Sequence, residues 1–347
     1  MRAAVMRGKK IVADTVPDPV PGPGQVLVRT LACGICGSDL HALQHADRMV
    51  AMAKESAGGV AGASIMDPSR DVVMGHEFCA EILDFGPSTL RQLKVGQRVC
   101  SMPLAFDARG IQAVGYSNDY PGGYGERMVL TEPLLLPVPD GLSAQHAALT
   151  EPMAVGVHAV AKGKPEKQDA ALVVGCGPVG LAVISALKLA GIGPVVAADF
   201  SPRRRGLAEE LGADVVVDPA KENAALAWSK AAGAKVPLFF ECVGVPGIIN
   251  DLMRDAPRGA RIVVAGACME PDRFQPMYGI NKELSLQFVL GYTPEEFAGA
   301  LRDLAEGRIP AEKLVTGRTG IDGVADAFET LRDPEAHAKI LVEPGAA

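Results

Sequence analysis

Four residues of zinc-binding types lie in the first half of the chain: Cys36, His76, Glu77 and Glu151. A catalytic zinc takes about three protein ligands from cysteine, histidine and carboxylate, and it keeps one position for water or substrate. A single cysteine or histidine is most often a structural residue, so none of the four is decisive alone. Together they predict one catalytic metal site formed by Cys36, His76 and a glutamate.

The chain contains one C-x-x-C pair, Cys33 and Cys36, and no second pair that would complete a four-cysteine zinc site. The pair precedes no thioredoxin-like βαβ pattern, which argues against a redox dithiol. We therefore interpret Cys33 as a packing residue.

A glycine-rich turn at Gly175, Gly177 and Gly180 follows one predicted strand and opens one predicted helix. Such a turn lets a pyrophosphate approach the helix amides, and Asp199, at the end of the next strand, can bind an adenosine ribose. Asp199 would repel a 2′-phosphate, although Arg203 to Arg205 could neutralise one, so we expect NAD rather than NADP. The candidate cofactor-binding residues are Gly175, Gly177, Pro178, Val179, Gly180, Asp199, Arg204, Val243 and Gly266.

The pattern of the chain changes near residue 150. Before it, short β-like runs are broken by Pro and Gly; after it, short apolar strands alternate with Ala-rich helical segments. This alternation predicts a doubly wound parallel sheet with right-handed crossovers. We expect an α/β protein with a β-rich domain over 1–152, to which 292–347 returns, and a dinucleotide-binding domain over 153–291.

The net charge of −7 over 347 residues argues against a general nucleic-acid-binding protein. No run of apolar residues is long enough for a signal peptide or a membrane span, and seven scattered cysteines do not resemble a disulfide framework. We expect a cytoplasmic location, no membrane partner and reduced thiols.

These motifs together resemble the zinc-dependent medium-chain alcohol dehydrogenases, particularly the sorbitol, butanediol and threonine dehydrogenase branch. The resemblance covers nearly the whole chain and rests on the segments 33–41, 75–78, 96–99, 151–159 and 173–180. It implies a GroES-like β-rich catalytic domain and a Rossmann domain with the active site between them. It also implies a small alcohol or ketone substrate and a homodimer or homotetramer.

The resemblance also assigns residue roles. Cys36 and His76 match zinc ligands, and Glu77 and Glu151 match carboxylates that bind zinc directly, alternately or through water. Asp39 matches a residue that orients a histidine ligand. Ser38 and His41 match a proton relay from the substrate alcohol to solvent. His158 is interpreted as a helix-packing residue.

Two segments depart from the family. Only Cys100 lies where many relatives hold a structural zinc with four cysteines, so we expect one zinc per chain and a segment 106–125 folded by packing and turns. The connection between His41 and Gly75 is longer than usual. Within it, Met49 or Met52 is a candidate for an apolar lid, and a solvent-exposed helix is the alternative.

The sequence therefore favours NAD-linked interconversion of a secondary alcohol, diol or polyol and its ketone by hydride transfer. One alternative is a zinc-free quinone or enone reductase of the same superfamily. This alternative leaves Cys36, His76 and Glu151 without a common function. Another is a non-catalytic protein that binds the nucleotide without turning it over.

Overall fold

The computed structural model describes residues 1–56, 63–64 and 66–345. The chain divides into two compact units. The first contains Met1–Glu151, Val315–Asp333 and Lys339–Ala347, and the second contains Pro152–Leu314 and Pro334–Ala338. None of the described helices is long and apolar enough to cross a membrane.

The strands in chain order are β1 (Arg2–Arg7), β2 (Lys10–Thr15), β3 (Gln25–Gly34), β4 (Ala63–Ser64), β5 (Glu77–Phe85), β6 (Arg98–Ser101), β7 (Leu104–Asp107), β8 (Gly110–Ala113), β9 (Arg127–Thr131), β10 (Leu135–Pro137), β11 (Asp169–Val174), β12 (Val195–Ala198), β13 (Val215–Val217), β14 (Val236–Glu241), β15 (Arg261–Val264), β16 (Ser285–Phe288), β17 (Gly317–Thr319) and β18 (Ile340–Val342). The α-helices are α1 (Gly37–Ser56), α2 (Ala144–Ala147), α3 (Thr150–Lys162), α4 (Pro178–Leu189), α5 (Pro202–Glu210), α6 (Ala224–Ala232), α7 (Ile248–Asp255), α8 (Pro276–Lys282), α9 (Pro294–Ala305), α10 (Ala311–Leu314) and α11 (Val324–Thr330). Short 3-10 turns lie at Glu132–Leu134 and Ile321–Gly323.

The first unit is built on a seven-stranded sheet in the order β10-β6-β5-β3-β18-β17, with β9 also pairing with β3. β3 is its central strand because it pairs antiparallel with β5, β9 and β18. The alternating side chains of β3 and β5 enter one apolar core, in which Val28, Cys33, Phe78 and Ile82 are buried. Cys33 is thus a core residue, as the lack of a second cysteine pair indicated.

The end of the chain returns to the first unit later than we predicted. Residues 315–333 and 339–347 join the first unit, whereas 292–314 belong to the second. In the second unit α9 packs through Phe297, Ala300, Leu301 and Leu304, which are buried. Its Glu296 lies 2.7 Å from Nδ1 of His158 on α3. This bond and the apolar face of α9 explain why residues 292–314 stay in the second unit, and His158 has the packing position expected of it.

The second unit is a six-stranded parallel sheet in the order β13-β12-β11-β14-β15-β16. This is the doubly wound arrangement that the alternating pattern predicted. The starts of two helices are encoded locally: the Ser201 hydroxyl accepts a hydrogen bond from the Arg204 amide at the start of α5, and Thr293 and Glu296 form a capping box at α9.

The long connection after His41 begins as the helix α1, which kinks at His45. Met49 packs against the core of the first unit, whereas Met52 is 41% exposed. Residues 57–62 and 65, which belong to the connection considered as a lid, lie outside the described residues. β4 pairs with β8 beside the β7–β8 hairpin, so the connection and the segment 106–125 share a three-stranded sheet.

Candidate active site

Three of the predicted metal ligands come together in the first unit. Within the part of the chain that the structure describes, ligand atoms of Cys36, His76 and Glu77 lie within 4.8 Å of one another. Cys36 follows the end of β3 and His76 precedes β5, and the register that pairs Gly34 with Glu77 brings these two strand ends together. One sulfur, one imidazole nitrogen and one carboxylate are a zinc-type donor set, and the spacing fits bonds of roughly 2.0–2.3 Å to one ion.

Behind these ligands lies the fully buried carboxylate of Asp39. Its Oδ2 accepts hydrogen bonds from the Cys36 amide at 3.0 Å and the Tyr124 hydroxyl at 2.6 Å. Its Oδ1 accepts one from the Tyr116 hydroxyl at 2.8 Å and lies 3.4 Å from Nδ1 of His76. Burial opposes the negative charge of Asp39, but His76 and these hydrogen bonds outweigh it and hold the pKa of Asp39 below its usual value. The carboxylate is therefore placed to orient His76, the role that the resemblance assigned to it.

Glu77 is engaged by a residue that we did not predict. The ammonium of Lys339, one residue before β18, donates to both carboxylate oxygens of Glu77 at 2.7 and 2.6 Å and to the Ile35 carbonyl at 3.0 Å. Both side chains are buried, with exposures of 3% and 1%. Burial disfavours the charge on Lys339, but the carboxylates of Glu77 and, to a smaller extent, Glu151 oppose this effect and raise the pKa of Lys339.

The lack of a side chain at Gly34 makes this ion pair possible. A Cβ at this position would overlap Oε2 of Glu77. Gly34 lies on β3 opposite Glu77 of β5 and Leu341 of β18. The carboxylate therefore lies over the glycine, between the two strands that supply Glu77 and Lys339.

Glu151 is not a member of the group of three. It lies in the first turn of α3 and acts on the site through its charge, which contributes to the raised pKa of Lys339. The structure therefore brings Cys36, His76 and Glu77 together, and the role of Glu151 as a ligand stays a prediction.

The two predicted relay residues lie on the first turns of α1. Ser38 and His41 are three residues apart and so share one face of the helix. The Ser38 hydroxyl lies 2.9 Å from the Tyr116 hydroxyl. Partial burial and the neighbouring His45 lower the pKa of His41, so its imidazole is neutral at pH 7 and able to accept a proton.

The predicted nucleotide turn lies in the second unit between β11 and α4. Gly175 has a φ of +93°, a value that favours glycine, and a Cβ at Gly180 would overlap the Gly175 carbonyl. Gly177 is the N-cap residue of α4 and supplies no side-chain cap, while Pro178 occupies the first turn. Among the described residues, no N-cap side chain covers the first amides of α4, which is the arrangement that binds a phosphate.

A cavity of about 500 Å³ in the second unit adjoins this turn. Of the predicted cofactor residues, Gly175, Asp199, Arg204 and Val243 line it. The Asp199 carboxylate is held by the amides of Cys176 and Ser201, both at 2.8 Å. Gly266 lies beside Gly244, where a Cβ would overlap the Gly244 amide.

The three consecutive arginines have different surroundings. Arg205 donates to the carbonyls of Asp199 and Phe200, and Arg203 donates to the Glu335 carbonyl. Arg204 is the one that lines the cavity, and its buried Nε has no hydrogen-bond partner among the described residues. Arg203 and Arg205 thus support the fold locally, and Arg204 is the arginine available to a ligand.

Three residues of the site escaped the sequence reasoning: Tyr116, Tyr124 and Lys339. A signal for the tyrosines was present, since three of the five tyrosines of the chain lie at 116, 120 and 124. A signal for Lys339 was a cation directly before an apolar strand predicted to return to the first domain. Neither signal specifies a partner without the fold.

Comparisons with known proteins identify the domains and the family of the chain. Residues 22–140 match the alcohol dehydrogenase GroES-like domain, and residues 178–306 match the zinc-binding dehydrogenase domain. The (R,R)-butanediol dehydrogenase of Bacillus subtilis is 33% identical over 99% of this chain and 100% of its own length. The L-threonine 3-dehydrogenase of Rhizobium rhizogenes is 30% identical over 96% of both chains.

Among solved structures, the crystal structure of 2R,3R-butanediol dehydrogenase from Bacillus subtilis is similar with a TM-score of 0.84 and 32% identity. It covers 99% of this chain and 99% of its own. The expected GroES-like and Rossmann-type architecture is thereby confirmed. Similarity over the whole length at this identity, together with both domain matches, shows that the chain belongs to the zinc-type medium-chain alcohol dehydrogenase family.

Proposed function

We propose that the protein is a zinc- and NAD-dependent oxidoreductase that interconverts a secondary alcohol, diol or polyol and the corresponding ketone. The observation that carries this proposal is the grouping of Cys36, His76 and Glu77 with Asp39 behind His76. When bound, zinc would polarise the substrate oxygen and the nicotinamide would exchange hydride with the substrate carbon. The relatives named as butanediol and threonine dehydrogenases support a hydroxylated small molecule as substrate.

We propose that Cys36 and His76 bind one zinc per chain and that a glutamate completes the set. Glu77 is close enough, but both of its oxygens are engaged by Lys339. To bind zinc it must release or share that ammonium, and the charge of Glu151 also acts on Lys339. Two carboxylates near one lysine therefore support Glu77 and Glu151 as alternate ligands.

The residues of α1 supply the proton path. The oxygen of Ser38 accepts the proton of the substrate alcohol, and the proton that Ser38 releases passes toward His41 on the same helix face. The lowered pKa of His41 supports this direction, because a neutral imidazole can accept a proton and deliver it to solvent.

We propose NAD as the cofactor. The Asp199 carboxylate lies at the cavity wall, fixed by two backbone amides, where it can accept hydrogen bonds from ribose hydroxyls. A phosphate on the same ribose would meet its negative charge. Arg204 beside it can contact the adenosine part of either nucleotide, so the preference depends on Asp199.

We also propose that the chain forms a homodimer through β16. Among the described strands, β16 pairs only with β15, so its outer edge leaves backbone groups open to a second copy. Apolar side chains are exposed beside that edge: Phe288 by 59%, Leu290 by 94% and Ile280 by 66%. An identical strand related by a two-fold axis would pair with this edge and cover these side chains.

Metal content and turnover test the proposed function together. Protein purified without chelator should contain one zinc per chain by mass spectrometry and should reduce NAD with members of a diol and polyol panel. Cys36→Ala should lose the zinc and at least about 100-fold of kcat/KM, because both ligand and Lewis acid are lost. Cys268→Ala in the second unit is the matched control and should keep both. Zinc-free wild-type protein that reduces quinones instead would contradict the proposal.

The buried ion pair predicts how Lys339 affects stability and zinc binding. Lys339→Met leaves the Glu77 carboxylate buried without its partner and should cost about 3–5 kcal/mol of unfolding free energy in chelator. Zinc should raise the Tm of this variant more than that of the wild type, because the ion takes over the unpaired carboxylate. Lys188→Met breaks an exposed pair with Asp214 and should change the stability by less than about 1 kcal/mol. Equal zinc-induced Tm shifts in Lys339→Met and the wild type would argue against competition for Glu77.

Cofactor preference is tested at Asp199. Asp199→Asn keeps the size of the side chain and removes its charge, so the Kd for NAD measured by calorimetry should rise about tenfold. The Kd for NADP should fall or stay constant, because the repulsion of the 2′-phosphate is removed. If the ratio of the two constants were the same in variant and wild type, Asp199 would not determine the preference.

Sedimentation velocity tests the proposed dimer. Wild-type protein should sediment at twice the mass of the chain or a multiple of it, and Leu290→Asp should shift it toward the monomer by placing charges in the interface. Leu226→Asp changes a leucine that is 61% exposed on α6 and should leave the mass unchanged. A monomeric wild type would exclude this interface.

A further inference from the structure

The segment that joins β8 to β9 directs two tyrosine hydroxyls toward the candidate metal centre. Tyr124 reaches Oδ2 of Asp39 at 2.6 Å, and Tyr116 reaches Oδ1 at 2.8 Å. Tyr120 of the same segment instead contacts Gln25 and Asp107, at 3.0 and 3.1 Å. The ring of Tyr116 also lies against that of His76, with 5.2 Å between the ring centroids.

Tyr116 adds a contact to the Ser38 hydroxyl at 2.9 Å, whereas Tyr124 adds only a long one to the Gly34 carbonyl at 3.5 Å. A phenol has one proton to donate. The charged carboxylate of Asp39 is a stronger acceptor than a serine oxygen, so the Tyr116 proton belongs to the bond with Asp39. The contact with Ser38 is then made by the serine proton, which points at the phenol oxygen.

This distribution of protons fixes the direction of the Ser38 hydroxyl. With its own proton turned toward Tyr116, Ser38 presents oxygen lone pairs to the remaining directions around it. A serine held in this way is ready to accept the substrate proton, and its own proton, which had pointed at Tyr116, is the one that it then releases toward His41. The Tyr116 hydroxyl contacts both the Asp39 carboxylate and the Ser38 hydroxyl, and it therefore connects these two groups.

We propose that Tyr116 is a positioning residue that orients Ser38 as the acceptor of the substrate proton, with Asp39 anchoring the phenol. The inference rests on the proposed function, because it assumes that Ser38 accepts that proton. Tyr116 donates no proton to the substrate and exchanges none in the reaction. It links the segment 106–125, which contains no cluster of cysteines, to the chemistry on α1.

The test is a double-mutant cycle between Tyr116→Phe and Ser38→Ala. Tyr116→Phe retains the ring beside His76 and removes the hydroxyl, so kcat should fall about 3- to 10-fold, the size of one hydrogen bond, with KM within about twofold. Zinc content should stay at the wild-type value. In the Ser38→Ala background the same change should lower kcat no more than Tyr124→Phe does, since the group that Tyr116 orients is gone and only its hydrogen bond to Asp39 is still lost.

Two other tyrosines of the segment provide controls. Tyr120→Phe removes a hydroxyl remote from Ser38 and should leave kcat unchanged. Tyr124→Phe weakens the anchoring of Asp39 without touching Ser38, so its effect on kcat should multiply with that of Ser38→Ala. A Tyr116→Phe variant that behaves like Tyr120→Phe, or whose effect also multiplies with that of Ser38→Ala, would overturn the proposal.

A readout independent of turnover separates this inference from the proposed function. Thermal unfolding of the four proteins in the cycle, with zinc content matched, should show coupling between Tyr116 and Ser38. If the wild type turned over no alcohol, the proposed function would be wrong. The coupling between Tyr116 and Ser38 in thermal unfolding would still test whether Tyr116 orients Ser38. Additive Tm changes would show that the hydroxyls do not interact and would refute the positioning role.

Discussion

The burial of the Asp39 carboxylate is the constraint on which the catalytic unit depends. An ionised carboxylate removed from water is stable only if hydrogen bonds and opposite charge replace its hydration. Three neighbours donate to Asp39 and a fourth, His76, lies beside it, and they come from separate parts of the chain: the Cys36 loop, the start of β5 and the segment between β8 and β9. The Asp39 carboxylate thus positions two candidate ligands, Cys36 through its backbone amide and His76 through its ring.

The second ionic contact, between Glu77 and Lys339, is different in kind. It connects two strands that flank β3, and Gly34 provides the space for it. Asp39 has fixed partners that leave it no alternative, whereas Glu77 has both a cation within the chain and a place in a metal-ligand group. The site therefore contains two carboxylates of different kinds. Asp39 is fixed and orients its neighbours, whereas Glu77 can exchange one partner for another.

The sequence predicted the architecture well because local patterns carry it. Strands β6 and β12 coincide with short apolar runs, and α9 begins at a capping box formed by residue types that favour one. Cys36 and His76 were predictable because their residue types are rare and chemically specific. Lys339 and Tyr116 were not, because their roles depend on strand pairing and on loop paths that periodicity does not encode. The late return of the chain was mispredicted because α9 has an apolar face that either unit could have buried.

Lys339 directly precedes β18, which pairs with β3 in the sheet of the first unit, and its contact with the Ile35 carbonyl spans 304 residues. During synthesis on a ribosome, β3 and β5 emerge long before β18 exists to pair with β3. All strands of the parallel sheet in the second unit come from one continuous stretch of the chain, so this sheet can form without a strand from a distant segment. A nascent chain thus carries the Glu77 carboxylate without its lysine until Lys339 has been added, 262 residues later.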